Sequence, residues 1–167
     1  MIRDAVGNDD IAVVRRLFAA YAASLDVDLC FQDFGRELSE LPGDYVPPRG
    51  CLLLAEEDGN AHGCVALRPL PGSDDTAMGI GEVKRLYVEP RARGARMGRL
   101  LMQALIARAR VAGYRELKLD TLATMTSARS LYASLGFRPC AAYYDNPLAG
   151  VSYMSVALGQ SGSEPLR

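Results

Sequence analysis

The chain has 167 residues, 49% of them hydrophobic and 23% charged, with 19 Lys and Arg against 20 Asp and Glu. This is the composition of an ordinary globular domain, long enough to bury a core without disulfides or metal. No apolar run approaches the roughly 20 residues that span a bilayer, and Met1-Ile2-Arg3-Asp4 opens no secretory segment, so a cytoplasmic protein without membrane contact is expected.

Residues 2–6 can form a short strand. Asn8 or Asp9 then offers a cap for a helix whose apolar positions Ile11, Val14, Phe18 and Tyr21 recur at helical spacing. Phe31 to Leu41 is a second, shorter helical segment, closed by Pro42-Gly43. The stretch from Asp26 to Asp44 is acidic, and serves either as a solvated face or as the wall of a site for a cationic group. Cys51–Ala55 and Gly63–Leu67 are two strands joined by Glu57-Asp58-Gly59-Asn60, which has hairpin-turn chemistry. His62, the one histidine, falls at this turn on the surface, which disfavours a histidine-dependent triad or metal site. Pro69 to Gly81 reads as a loop. The four cysteines are scattered without a Cys-x-x-Cys spacing and are expected to be free thiols.

Glu82 to Val88 is a strand ended by Pro90, and Arg93 to Gly98 is a turn that opens a helix running to Gly113, with Leu101, Leu105, Ala109 and Ala112 on one face. Such a turn presents free backbone N–H groups and the positive end of a helix dipole, which suits an anion. Glu116 to Thr121 alternates like a strand. Thr124, Thr126 or Ser127 then caps a helix carrying Ala128, Leu131, Tyr132 and Leu135, and Gly136 stops it. A strand from Phe137, a loop over 143–150 and a last strand Val151–Leu158 complete residues 1–158 as one domain, and 159–167 is a polar tail expected to fray. The order β-α-α-β-β-β-α-β-α-β-β is that of an α/β fold around a mixed sheet, whose two late strand–helix–strand units should place parallel neighbours side by side.

Charge is unevenly spread. Residues 1–82 hold 6 Lys and Arg against 15 Asp and Glu, and residues 83–167 hold 13 against 5. One half favours a cationic partner and the other an anionic one, a polarity that suits a small bisubstrate enzyme rather than a nucleic-acid binder.

Three segments together carry a resemblance. Val83-Lys84-Arg85-Leu86-Tyr87-Val88, then Pro90-x-x-Arg93-Gly94-x-x-Met97-Gly98-x-Leu100-Leu101, then Ala128-x-x-Leu131-Tyr132-x-x-Leu135-Gly136-Phe137 resemble the GNAT superfamily of acyl-CoA-dependent N-acyltransferases. The resemblance implies a largely antiparallel sheet with one splayed parallel pair, and acetyl-CoA lying in the opening between the strands near 82–88 and 116–121. It implies that the main chain of Leu86, Tyr87 and Val88 pairs with pantetheine. The backbone of Arg93, Gly94, Ala95, Arg96, Met97 and Gly98 would hold the pyrophosphate, with Arg93, Arg96 and Arg99 beside it. Arg96 stands where the family's turn has its middle glycine, so its side chain either turns away from the phosphates or binds them. Met125 stands where a later cofactor contact is usually Asn.

The chemistry follows from the reaction. A lysine-like amine of pKa about 10.4 is almost wholly protonated at neutral pH, so amide formation gains from a base. Glu82 occupies a position where family members carry one, and the bland alternative is a surface carboxylate paired to Lys84 or Arg85. Tyr132 stands at the family's general acid for the departing thiolate. No cysteine lies in the matched segments, so direct attack in a ternary complex is expected. Phe31, Phe34, Tyr143, Tyr144 and Asn146, with the acidic 26–44 segment, are the expected acceptor side, suited to a small cationic or amine-bearing molecule. A protein or peptide amine is the alternative acceptor, and a catalytically silent acyl-CoA sensor the alternative class. No metal is expected, and the sequence leaves a homodimer open.

Overall fold

Helices flank both faces of one central sheet in the computed structural model, which describes residues 1–72, 79–94 and 96–159. The elements are β1 (Ile2–Asp4), α1 (Gly7–Ser24), a 3-10 turn (Cys30–Gln32), α2 (Phe34–Glu40), β2 (Cys51–Glu57), β3 (Asn60–Pro69) and β4 (Ile80–Val88). A second 3-10 turn (Pro90–Ala92), α3 (Met97–Val111), β5 (Glu116–Leu122), α4 (Thr126–Ser134), β6 (Arg138–Cys140) and β7 (Val151–Ala157) follow. Among the described residues, seven strands lie in the order β1-β2-β3-β4-β5-β7-β6, and only the β4–β5 pair is parallel. The first late strand–helix–strand unit therefore makes parallel neighbours as expected. The second does not, because β7 inserts between β5 and β6 and pairs antiparallel with both.

The sheet is buried on both faces at its centre, which is why β2 and β3 read as continuous apolar runs rather than as alternating ones. Leu52, Leu54, Cys64 and Ala66 pack against Val14, Leu17 and Phe18 of α1. Leu53, Val65 and Leu67 face the other way, against Leu101, Met102, Leu105 and Ala109 of α3. Fully burying each such side chain contributes about 1.5–3 kcal/mol before conformational entropy is counted. Gly81 lets β4 meet β5 closely, since a Cβ there would stand 2.9 Å from Leu117 Cδ2 and 3.0 Å from Leu67 Cδ1.

Several local expectations change. The segment from Phe31 does not run as one helix, because Asp33 takes a left-handed φ of 55° between the 3-10 turn and α2. His62 lies within β3 rather than at the hairpin tip. That tip is formed by Asp58 and Gly59 at φ 50° and 76°, and the His62 side chain is largely buried with Nδ1 2.9 Å from Glu89 Oε2. Ser73 to Met78 of the expected loop, Ala95, and residues 160–167 of the tail lie outside the described residues, as does the side chain of Phe31.

The first helix is not capped by Asn8 or Asp9. Val6 occupies the N-cap position, and Asp10 reaches back instead: its Oδ2 accepts from the Val6 N–H at 2.7 Å and from Arg3 Nη1 at 2.6 Å. Hydrogen bonds from the Arg3 guanidinium and then from the Val6 amide hold the Asp10 carboxyl at about 2. A depressed folded-state value stabilises the fold above the ordinary Asp range and is lost as pH falls through the folded value. Arg3 is partly solvated, so the charge contribution is screened. Asp10→Ala should lower stability at pH 7 by about 1–2 kcal/mol. The gap from the unsubstituted chain should narrow as pH falls from about 4 toward 2, measured by urea unfolding at each pH.

Candidate active site

Strand β4 carries the site because its alternation is broken once. Cys64 and Ala66 of β3 pair with Tyr87 and Lys84 of β4, so two residue steps on β3 face three on β4. The extra residue is a β-bulge at Arg85, whose φ is 60° and whose carbonyl accepts from Cys64 Sγ at 3.5 Å. Before the bulge, Val83 belongs to the α3 side of the core. After it, Leu86 and Val88 do, while Tyr87 joins the α1 side. Lys84 and Arg85, adjacent in sequence, both line the cleft beneath α2.

A bulge bends its strand, and here β4 leaves β5. The parallel ladder pairs only Ile80 with Glu116, Gly81 with Leu117 and Glu82 with Lys118. β5 meanwhile stays fixed to β7 over all seven of its residues. The two strands open into a narrow slot of ≈ 30 Å³, lined in part by Leu86, Leu119, Thr121, Met125 and Tyr132. On the α2 side lies a larger cleft of ≈ 540 Å³, bordered by Glu37, Arg68, Glu82, Tyr143 and Tyr144. Gln32, Lys84 and Arg85 line both, so the two spaces meet there.

Glu82 is 2% exposed, so it is not the surface carboxylate of the bland reading. Its Oε2 accepts from Arg68 Nε at 2.8 Å, and its Oε1 lies 3.2 Å from the Tyr143 hydroxyl, which donates to it, and 3.6 Å from Lys84 Nζ. Tyr132 is buried in α4 against Phe137, with ring centroids 5.8 Å apart. Burial pushes its phenol well above the ordinary value, so it holds its proton at neutral pH. Phe34 stacks beneath the Arg85 guanidinium at 5.0 Å. Tyr144 donates to Asp120 Oδ2 at 2.8 Å and accepts from Asn146 Nδ2 at 2.8 Å. Phe31 lies in the 3-10 turn that precedes α2.

At the turn, Gly94 takes a φ of 97° and Arg96 one of 58°, the left-handed region that favours glycine. Arg96 is the N-cap residue of α3, exposed, and makes no side-chain cap. Met97, Gly98 and Arg99 are the first residues of α3, whose N–H groups have no intrahelical acceptor. Gly98 also packs the helix onto α4, where an added Cβ would meet Leu131 Cδ2 at 3.4 Å. Arg93 Nε donates to the Val88 carbonyl at 3.0 Å, and Arg99 Nη2 donates to Ser134 Oγ at 2.8 Å. Three arginines beside the positive end of a helix repel it, and such a cluster becomes favourable when an anion sits between them. Free N–H groups, a glycine turn and this charge fit a pyrophosphate. Met125 is the N-cap of α4, in place of the expected Thr or Ser. Its thioether accepts weakly from Thr121 Oγ1 at 3.9 Å and supplies an apolar wall to the slot rather than a polar contact.

Sequence reading missed the polar network under the cleft. Arg85 is almost fully buried and donates through Nη2 to Glu37 Oε2 at 2.5 Å, and through Nη1 to Gln32 Oε1 at 2.8 Å. Burial works against the charge of Glu37, but Arg85 outweighs it and holds the carboxyl below the usual range. Burial opposes the charge of Asp120 as well, yet Lys84 and Tyr144 keep it below that range. The signal was present: Glu82 and Lys84 keep a period of two in β4, and Arg85 beside Lys84 breaks it.

Comparison with known proteins agrees with this geometry. The model of the GNAT acetyltransferase family matches residues 16–137. An uncharacterised N-acetyltransferase of Schizosaccharomyces pombe is 38% identical over 152 residues, covering 90% of each chain. A solved GNAT-family acetyltransferase of Staphylococcus aureus superposes with a TM-score of 0.75 at 17% identity, covering 95% of this chain and 98% of its own. A Salmonella typhimurium chain of the same fold, solved with its cofactor acetyl-CoA, gives a TM-score of 0.69 at 21% identity over 99% of this chain and 96% of its own. With its splayed β4–β5 pair and the glycine–arginine turn that follows, this chain belongs to the GNAT acetyltransferase family, as an acyl-CoA-dependent N-acetyltransferase.

Proposed function

We propose that the protein acetylates the primary amine of a small molecule by direct attack in a ternary complex. The observation that carries this reading is the meeting of the two spaces at Gln32, Lys84 and Arg85. The narrow slot between the splayed strands opens there onto a cleft whose ≈ 540 Å³ falls in the range of small-molecule sites. Bound along Leu86 to Val88 and the 93–98 turn, acetyl-CoA supplies an acetyl thioester with a thiol leaving group.

The chain's residues then divide the work. The backbone amides of Arg93 to Gly98 and the charges of Arg93, Arg96 and Arg99 bind the pyrophosphate, and Met125 walls the slot. Tyr132, protonated and facing the slot, donates its proton to the departing sulfur. Glu82 is the proton acceptor and is reached through Tyr143, whose hydroxyl already donates to Glu82 Oε1 and borders the cleft. An amine delivering a proton to the Tyr143 oxygen lets that hydroxyl pass its own to Glu82. Tyr143 and Tyr144 form the acceptor wall, with Asn146 bonded to Tyr144 from the slot and Phe34 behind Arg85.

The direct test is thiol release from acetyl-CoA across a panel of small amines and of peptides with free α-amines or lysines. Release with small amines and none with peptides is expected, and the opposite pattern would move the acceptor to protein. Tyr132→Phe should lower kcat by about 10²–10⁴-fold while the calorimetric Kd for CoA stays within about twofold; loss of both together would make Tyr132 structural. Glu82→Gln should lower kcat by about 10²-fold and move the rate optimum to higher pH, where the free amine needs no acceptor for its proton. Arg96→Gly should stabilise the fold by about 1 kcal/mol through relief of the left-handed φ, and weaken CoA severalfold if the guanidinium meets the phosphates.

A further inference from the structure

Donors and acceptors under the cleft do not balance. Three largely buried carboxylates, Glu37, Glu82 and Asp120, lie at the cleft or its floor, and every oxygen of the three is engaged. Glu37 Oε1 accepts from Tyr45 at 2.6 Å and from Arg85 Nε at 3.2 Å, and its Oε2 from Arg85 Nη2. Glu82 Oε2 takes both Arg68 Nε and Nη2, each at 2.8 Å, and Oε1 takes Tyr143. Asp120 Oδ2 takes Tyr144, and Lys84 stands 3.5 Å from Oδ1. These acids have little left to offer a cationic group.

The cations are in the opposite position. Arg68 spends both of its bonds on one oxygen of Glu82, and its Nη1 has no partner among the described residues. Lys84 is 6% exposed, yet its three acceptors, Gln32 Oε1, Asp120 Oδ1 and Glu82 Oε1, stand at 3.5, 3.5 and 3.6 Å. An ammonium so deeply placed, with no acceptor nearer than this among the described residues, is under-coordinated. The two cations flank the same carboxylate and border the same cleft, and Lys84 also borders the slot. Arg85 is not part of this surplus: Glu37 and Gln32 occupy it, and the rings of Tyr21 and Phe34 lie 5.8 and 5.0 Å from its guanidinium carbon. The remaining rim charges, Asp33, Arg36, Glu40 and Asp44, are solvent-exposed and screened.

We infer that Arg68 and Lys84 are the seat of a substrate carboxylate, so that the acceptor is an amino acid whose amine lies within a few bonds of that carboxylate. The inference rests on the N-acetyltransferase reading above and narrows its acceptor. A two-oxygen anion spans the donors on either side of Glu82, as Glu82 itself does. Seated there, it shares the two cations with Glu82 and leaves Glu82 freer to take the proton passed by Tyr143. An acceptor without an anion leaves Lys84 as under-coordinated as before.

The experiment compares each common α-amino acid, and β-alanine, with its carboxamide as acceptor, following thiol release from acetyl-CoA. At least one amino acid should exceed its carboxamide in kcat/KM by about 10–100-fold, the worth of hydrogen bonds to a charged group. In Arg68→Gln this ratio should fall toward one, and Arg68→Lys should restore part of it. Calorimetry with the same amino acid and its carboxamide, in the presence of the unreactive analogue desulfo-CoA, should show the same preference in Kd without turnover. Lys84→Met is a second variant, read by the same ratio, with a thermal melt to confirm that it folds. Amines acetylated equally well with and without the carboxylate overturn this inference and leave the acetyltransferase reading standing. No release with any amine overturns both.

Discussion

One inserted residue in β4 sets the geometry on which the site depends. Without the bulge at Arg85, β4 would keep a period of two, Arg85 would point toward the α3 side of the core with Val83, and the ladder with β5 would have no bend to end it. The left-handed φ costs about 1–2 kcal/mol for a residue with a Cβ. It is held by the Cys64 thiol on the bulge carbonyl and by the guanidinium's bonds to Glu37 and Gln32. Breaking such a buried pair from one side costs about 3–5 kcal/mol, more than the strain itself. The bulge is therefore over-determined, and the opening beside it is a fixed feature of the fold.

The same residues explain where the two halves of the charge distribution go. An acidic first half and a basic second half read, in sequence, as two external partners. In the fold much of that charge is satisfied internally: Glu37 meets Arg85, and Asp4 meets Arg108. What is left over on the basic side is specific. Arg93 and Arg99 bond to the Val88 carbonyl and to Ser134, Arg96 is the exposed N-cap of α3, and an anion at this positive helix end would offset their mutual repulsion. Glu82 and Tyr132, the proposed acid–base pair, are both buried, and burial keeps Tyr132 protonated.

Much of this was legible in advance. The helix of Leu101, Leu105 and Ala109 and the paired strands 51–55 and 63–67 announce themselves because their periodicity and their burial obey one rule. A glycine–arginine turn before a helix is a weak signal by itself, and the 93–98 turn became legible only beside the Ala128-to-Phe137 segment of the same resemblance. The network of Gln32, Glu37, Lys84, Arg85 and Asp120 was not, because it joins residues far apart in the chain and depends on a phase change that period-two reading cannot supply. Caps failed for a related reason: Asp10, rather than Asn8 or Asp9, satisfies the start of α1, because Arg3 of the neighbouring strand holds it there. The inserted β7 also lies beyond local pattern, since pairing order is decided by the whole sheet.

The phase change in β4 has a consequence for how such a protein can evolve. Lys84, before the bulge, lines the proposed acceptor cleft, and Leu86 and Val88, after it, lie on the proposed cofactor side. A substitution at 68, which neither holds the bulge nor lines the slot, can be selected for a new acceptor without disturbing Leu86, Val88 or the turn that follows. A one-residue deletion at 85 would restore strict alternation with Leu86, Tyr87 and Val88 on their present faces, and would remove the bend that parts β4 from β5. The bulge thus acts as an insulator between two inherited specificities, letting one drift while the other is kept.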